Sequence, residues 1–156
     1  MKKKILSMLL AGFTGVIVLS GCSGKTVTVD EKTTRLNPGT YTGQSSKSDD
    51  EKAGGYTIVK LTIGEDNRIT DVQLEIYDAN GKNKFSEDYG KTYGEITDEE
   101  AYKTAQNAAK MAQQYADQYM ATQSLSEVDA ITGATISYDQ FIEAADIALQ
   151  KASEQE

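Results

Sequence analysis

The sequence predicts a single α+β domain in which a small, mostly antiparallel sheet packs against two main helices. Three observations carry this expectation. Two runs of alternating apolar residues, Tyr56 to Ile63 and Ile69 to Tyr77, flank the turn residues Gly64-Glu65-Asp66-Asn67. Two later stretches carry Ala, Tyr, Phe and Leu at helical spacing. The strand-like runs come before the helical ones instead of alternating with them, which is the order of an α+β domain.

The chain opens on Lys2-Lys3-Lys4, an apolar run from Ile5 to Leu19, and then Leu19-Ser20-Gly21-Cys22. A basic head, a short apolar segment and small residues before a cut describe an export signal over residues 1–21. The small residues ahead of Cys22 resemble the bacterial lipoprotein cleavage box, which implies a lipid on Cys22. A membrane-spanning helix is the alternative. The run is short for one, since roughly 20 apolar residues are needed, and Gly12, Thr14 and Gly15 dilute it. Cys22 is the only cysteine, so lipidation leaves no thiol for disulfides, metals or nucleophilic catalysis. Residues 22–37, rich in Ser, Lys, Thr, Asp and Glu, are expected to be a lipid-anchored tether. A flexible tether of this length spans roughly 20 Å. Val27 and Val29 alternate with threonines, so a short edge strand is the rival reading. Pro38-Gly39 marks the start of the folded domain, residues 38–153.

Within that domain, Gly39-Thr40-Tyr41-Thr42-Gly43-Gln44 reads as a strand followed by a break, and residues 45–55 as a polar loop. The first hairpin strand buries Tyr56, Ile58 and, after Val59, Leu61 and Ile63. Its return strand places Val72, Leu74 and Ile76 on one face. Asp78-Ala79-Asn80-Gly81 is a further turn, leading into a charged surface loop up to Tyr89. Thr97-Asp98-Glu99-Glu100 reads as a capping box. The helix after it shows Ala101, Ala105, Ala108, Ala112, Tyr115, Ala116 and Tyr119 as a packing stripe. A short strand carries residues 129–135. Ser137-Tyr138-Asp139-Gln140 then reads as a second capping box, opening a helix from Tyr138 to Ala152 that packs through Phe141, Ile142, Ala145, Ala148, Leu149 and Ala152.

What the chain lacks narrows its chemistry. It has no histidine, the commonest general base and metal ligand. It has no phosphate-binding P-loop and no Gly-x-Gly-x-x-Gly fingerprint. Loss of residues 1–21 removes three lysines, leaving 13 basic against 24 acidic residues and a net charge of −11. Such a surface disfavours nucleic acid as a partner. Without histidine, the chain has little of its own with which to run redox or hydrolytic chemistry, and a bound cofactor would supply it.

The segment Asp129-Ala130-Ile131-Thr132-Gly133-Ala134-Thr135 suggests which one. It resembles the attachment motif of the FMN-binding domain family: Asp, two free positions, Ser or Thr, Gly, Ala, then Thr or Ser. Gly39-Thr40-Tyr41-Thr42-Gly43 is similar to the family's opening Gly-x-Tyr-x-Gly, and the resemblance covers roughly residues 39–150. It implies covalent FMN, joined to Thr135 by a phosphoester through a Mg²⁺-dependent flavin transferase. Gly133 can take positive φ and Ala134 leaves room beside the acceptor. A helix starting near Ser137 would favour the phosphate. The resemblance assigns Asp129 and Thr132 to cofactor binding or to recognition by the transferase, whose Mg²⁺ favours carboxylate oxygen. Lys84 and Tyr89, in a loop similar to that of one lipoprotein branch of the family, are candidates for lining the flavin site. Relatives carry Thr and Ser two and three positions after the acceptor, where this chain has Ser137 and Tyr138.

The implied function is that of a membrane-anchored, extracytoplasmic flavoprotein, similar to the FMN-carrying subunits of Rnf- and Nqr-type complexes and to extracellular electron-transfer lipoproteins. It would be an electron carrier with no catalytic residues of its own, serving an unidentified redox partner. The alternative is a cofactor-free surface binding or adhesion lipoprotein, in which residues 129–137 are an ordinary strand-to-helix turn. For the anchor, Cys22→Ala is expected to release the protein from membranes or leave it unprocessed, as read by fractionation and intact mass. Unchanged membrane retention with normal processing contradicts the lipid on Cys22.

Overall fold

The computed structural model describes residues 29–47 and 54–153. It contains strands β1 (Gly39–Gln44), β2 (Tyr56–Ile63) and β3 (Ile69–Tyr77), then helices α1 (Glu99–Thr122) and α2 (Thr135–Ser153), with a 3-10 turn at Leu125–Glu127 between the helices. The sheet order is β1-β2-β3 and both pairings are antiparallel. The core lies between the sheet and the helices, with α2 over β1 and β2 and α1 over β3. This is the small α+β domain that the sequence predicts.

The hairpin forms with the predicted bounds but a different inward face on β2. Thr57, Val59, Leu61 and Ile63 are buried there, against Ile69, Val72, Leu74 and Ile76 of β3. Strict alternation then puts Tyr56 and Ile58 on the other face. Tyr56 stacks on its cross-strand partner Tyr77, with ring centroids 4.9 Å apart. Thr57 takes the inward place expected of Ile58 because its polar groups are satisfied: its hydroxyl donates to Gln140 Oε1 at 3.3 Å and its N–H to Ser45 Oγ at 3.0 Å.

Helix α1 starts one residue later than the capping box implies. Asp98 is the N-cap, and its carboxylate accepts from the Glu100 and Ala101 N–H groups. The buried stripe is Ala109, Ala112, Tyr115, Ala116 and Tyr119. Ala101 is exposed and Ala105 only half-buried, because the first turns of α1 extend past the sheet and meet the 86–89 loop. There Tyr102 donates to the Glu87 carbonyl, and Gln106 to the Ser86 and Tyr89 carbonyls.

The strand expected over residues 129–135 does not form. Side chains of α1 take up the backbone groups that a strand would pair: Gln118 Oε1 accepts from the Asp129 N–H at 2.9 Å, and the Tyr115 hydroxyl accepts from the Ile131 N–H at 3.1 Å. The segment therefore runs as an irregular turn held against a helix.

Residues 29–37, expected to belong to the tether, are part of the domain. Residues 1–28, including the expected export signal, Cys22 and Val27, lie outside the described residues. From Val29 onward the chain belongs to the domain. Val29 and Leu36 are in the core, the Leu36 N–H donates to Asn67 Oδ1, and the Asn37 N–H donates to the Ala152 carbonyl. No strand includes Val29. The anchor of this segment is Glu31, a buried carboxylate whose Oε1 accepts from the Tyr119 hydroxyl at 2.8 Å and the Leu125 N–H at 2.9 Å. Composition marked this stretch as a tether because its few apolar residues are spread among polar ones.

Burial pushes the Glu31 carboxyl above its ordinary value near 4.5, against hydrogen bonds from its own N–H, the Leu125 N–H and the Tyr119 hydroxyl that pull it down. A carboxyl raised in the folded state favours folding while protonated. Its contribution therefore falls as pH rises from 4.5 through the higher folded value. Glu31→Gln is expected to flatten that dependence and to match or exceed the parent at about pH 8. Glu31→Ala, which leaves the Tyr119 hydroxyl and Leu125 N–H without their acceptor, is expected to cost about 1–3 kcal/mol. Urea denaturation across this pH range checks both. A Gln variant with the parent's pH slope contradicts the assignment.

Candidate functional site

The turn between the helices is shaped from below by one hydroxyl. Tyr115 is fully buried on α1, donates to the Ala134 carbonyl at 3.0 Å and accepts from the Ile131 N–H. The Ala134 N–H closes the turn on the Ile131 carbonyl at 3.0 Å. Gly133 sits at φ +91°, a conformation that L side chains rarely adopt, and a Cβ there would fall 3.0 Å from Met111 Sδ. Gln118, one turn along α1 from Tyr115, holds Asp129 through its N–H. Tyr138 reaches back to the Val128 carbonyl at 3.0 Å. The position at which relatives carry a small hydroxyl therefore braces the turn through a phenol.

Helix α2 begins at Thr135 itself, not after Ser137. Ser137 is a buried residue of the first turn, and its N–H donates to the Ala134 carbonyl at 3.0 Å. Gln140 does not fold back to cap the helix. It is buried and donates to the Gly55 carbonyl at 3.1 Å. The capping-box reading fails because Ala134, with its carbonyl fixed by Tyr115, already stands where the helix starts. Thr135 is exposed in the first helical turn. Among the described residues, neither its N–H nor that of Ile136 has a protein acceptor.

Thr135 opens onto a cleft of about 330 Å³, in the range of small-ligand sites. Gly133, Ala134 and Ser137 line it with Thr135. The apolar floor is Ile76 from β3 with Ala108 and Ala109 from α1. Lys84 and Tyr89 also line it, so the structure brings these two together with the 133–137 segment. Asp129 and Thr132 do not line the cleft. Both are exposed, and the Asp129 carboxylate makes no hydrogen bond or ion pair among the described residues. A second depression, lined by Lys47, Gly55, Tyr56 and residues 78–81, contains none of the sequence-predicted site residues.

Lys84 is held by its backbone, whose N–H donates to the Ile76 carbonyl at 2.7 Å. Its ammonium lies 6.0 Å from the centre of the Tyr89 ring and has no hydrogen-bond or ion-pair partner among the described residues. Burial holds this ammonium below the ordinary lysine range, with Asp78 pulling the other way. Burial, and then the negative charge of Asp78, pushes the Tyr89 hydroxyl up and keeps it protonated.

Composition and spacing did not reveal Tyr115, Gln118, Ile76 or Ala109 as parts of the site. Tyr115 had one available signal: a tyrosine in a stripe of alanines must find a partner for its hydroxyl once buried.

These features describe a small α+β domain with a cleft for a flat, anionic small molecule. A family model of the FMN-binding domain matches residues 53–150, more than half of the chain. The chain therefore belongs to the FMN-binding domain family, and it is a flavin-binding protein. No curated protein and no solved structure matches it. The cleft fits flavin mononucleotide on its own chemistry: a floor of apolar side chains with an ammonium beside it for a ring, and free N–H groups with an exposed hydroxyl at a helix start for a phosphate.

If Tyr115 shapes the turn, Tyr115→Phe leaves the Ile131 N–H without its acceptor and the Ala134 carbonyl with only the Ser137 N–H. The expected cost is about 1–3 kcal/mol by urea denaturation, together with slower loading of flavin. A Phe variant with the parent's stability and loading rate contradicts the clamp.

Proposed function

We propose that this protein is an extracytoplasmic, lipid-anchored electron carrier that holds FMN covalently on Thr135. The supporting observation is the position of Thr135. The residue at the acceptor place of the motif is exposed in the first turn of α2 and opens onto the same cleft as Lys84 and Tyr89.

FMN supplies reversible uptake of electrons when bound, and the chain supplies its placement. With a flavin dinucleotide as donor, Thr135 Oγ1 would attack the FMN-side phosphorus and give up its proton, breaking the P–O–P bond and releasing the nucleoside monophosphate. The free N–H groups of Thr135 and Ile136 and the helix dipole stabilise the phosphate charge. Ile76, Ala108 and Ala109 exclude water from one side of the ring site. Asp129 stands outside the cleft with an exposed, unpaired carboxylate. An acid so placed is accessible to a Mg²⁺-dependent transferase. The mature net charge of −11 keeps the domain soluble beside its membrane anchor. Electrons would pass to and from a separate redox partner.

In a host with a competent flavin transferase, intact-mass analysis of the exported protein is expected to show one FMN residue added. Thr135→Val is expected to lose it. Asp129→Ala is expected to lose it too, while keeping the parent's melting curve. An unmodified parent overturns the carrier function, and a Thr135→Val protein that keeps covalent flavin overturns the site.

A further inference from the structure

We infer that Lys84 raises the reduction potential of a flavin in this cleft by stabilising the negative charge that the ring gains on reduction. The inference rests on the proposed attachment at Thr135 and goes beyond it, because it assigns the ring end of the site and the sign of its electrostatic effect.

Other lysines among the described residues spend their charge elsewhere, and Lys47 lies over the Tyr56 ring beside the second depression. Lys32, Lys91 and Lys103 pair with Glu127, Asp88 and Glu99. Lys82 and Lys151 donate to backbone carbonyls. Lys84 alone brings a half-buried ammonium without hydrogen bond or ion pair to the edge of a cleft. Withdrawing a cation from water without a partner is unfavourable. Such a residue makes physical sense when an anion arrives beside it.

Two anionic parts of the ligand compete for that role, and the layout separates them. The phosphate is held at Thr135, where two backbone N–H groups and the start of α2 already face it. Lys84 comes from a different element, after β3, with its N–H on the carbonyl of Ile76 in the apolar floor and its ammonium 6.0 Å from the centre of the Tyr89 ring. These apolar and aromatic neighbours suit a flat aromatic ring. The oxidised ring is neutral. Taking up two electrons and one proton, it becomes an anion with its charge over N1 and the C2 carbonyl oxygen. A fixed cation nearby therefore favours the reduced form. Asp78 is the charged group that acts on both Lys84 and Tyr89, and it opposes this effect in part.

The test uses the full chain, loaded with FMN in cells carrying a flavin transferase, and titrated with dithionite against reference dyes at pH 7. Lys84→Met and Lys84→Gln are each expected to weaken reduction at least tenfold in equilibrium constant. For a two-electron couple that is a potential lower by about 30 mV. Lys84→Arg, which keeps the charge, is expected to stay within about threefold of the parent. Neutral variants with the parent's potential overturn the inference. So do neutral variants that load poorly while their loaded fraction keeps the parent's potential, because the ammonium then serves the phosphate. Intact mass is read first: a parent without flavin overturns the carrier reading and this inference with it, whereas a loaded parent whose potential ignores Lys84 overturns only the latter.

Discussion

Helix α2 lies so close to β1 that a side chain at Gly43 has nowhere to go. A Cβ there would fall 1.9 Å from the Ala144 carbonyl oxygen and 2.7 Å from the Ala148 nitrogen. The rest of the domain depends on this contact. It demands small residues on the helix face, and Ala144, Ala145, Ala148 and Ala152 are all fully or almost fully buried. With the helix held this close, Phe141 and Leu149 fill the space between sheet and helices. It also fixes how far α2 extends past the sheet, and so where Thr135 emerges. Gly55 is a second close approach, at the open end of the hairpin, where a Cβ would meet the Tyr77 carbonyl at 1.9 Å. Gln140 of α2 bonds the Gly55 carbonyl and Thr57, so the first turns of α2 are tied directly to β2.

The site assembled on this frame divides its tasks between elements. From below, α1 shapes the turn with Tyr115 and Gln118 and floors the cleft with Ala108 and Ala109. The start of α2 presents the hydroxyl of Thr135 and its unpaired N–H groups. The exit from β3 brings the one cation. Polar groups that face a ligand are thus held by neighbours that do not touch it, which keeps their geometry rigid. One turn further along the same face of α1, the Tyr119 hydroxyl on Glu31 joins the N-terminal segment to the helix. The chain leading in from residue 29 and the turn beside the cleft are therefore both fastened to α1, one turn apart.

Much of the fold was legible because the hairpin and both helices follow simple periods, and the bounds of β2 and β3 match the sequence reading residue for residue. The errors share one physical origin. Thr57 and Glu31 are polar residues buried with their partners far away in sequence, Gln140 for the first and Tyr119 and Leu125 for the second. Period and composition carry no information about such pairs. The displaced cap at Ser137 and the missing strand at 129–135 have the same cause, because Tyr115 and Gln118 reach across from α1 to satisfy that backbone. Of the site, Thr135, Gly133, Lys84 and Tyr89 could be named from motif and resemblance. The apolar floor could not, since Ala108 and Ala109 look like any other residues of a helical stripe.

The central claim is that FMN on Thr135 lies in the cleft between α1, α2 and the exit of β3. The most direct measurement is NMR of the flavin-loaded protein. The account predicts through-bond coupling from the flavin phosphorus to the Thr135 Hβ, and nuclear Overhauser contacts from flavin ring protons to the methyl groups of Ile76, Ala108 and Ala109. Phosphorus coupled to another residue, or ring protons with contacts only to solvent-facing groups of the open sheet face, would contradict it.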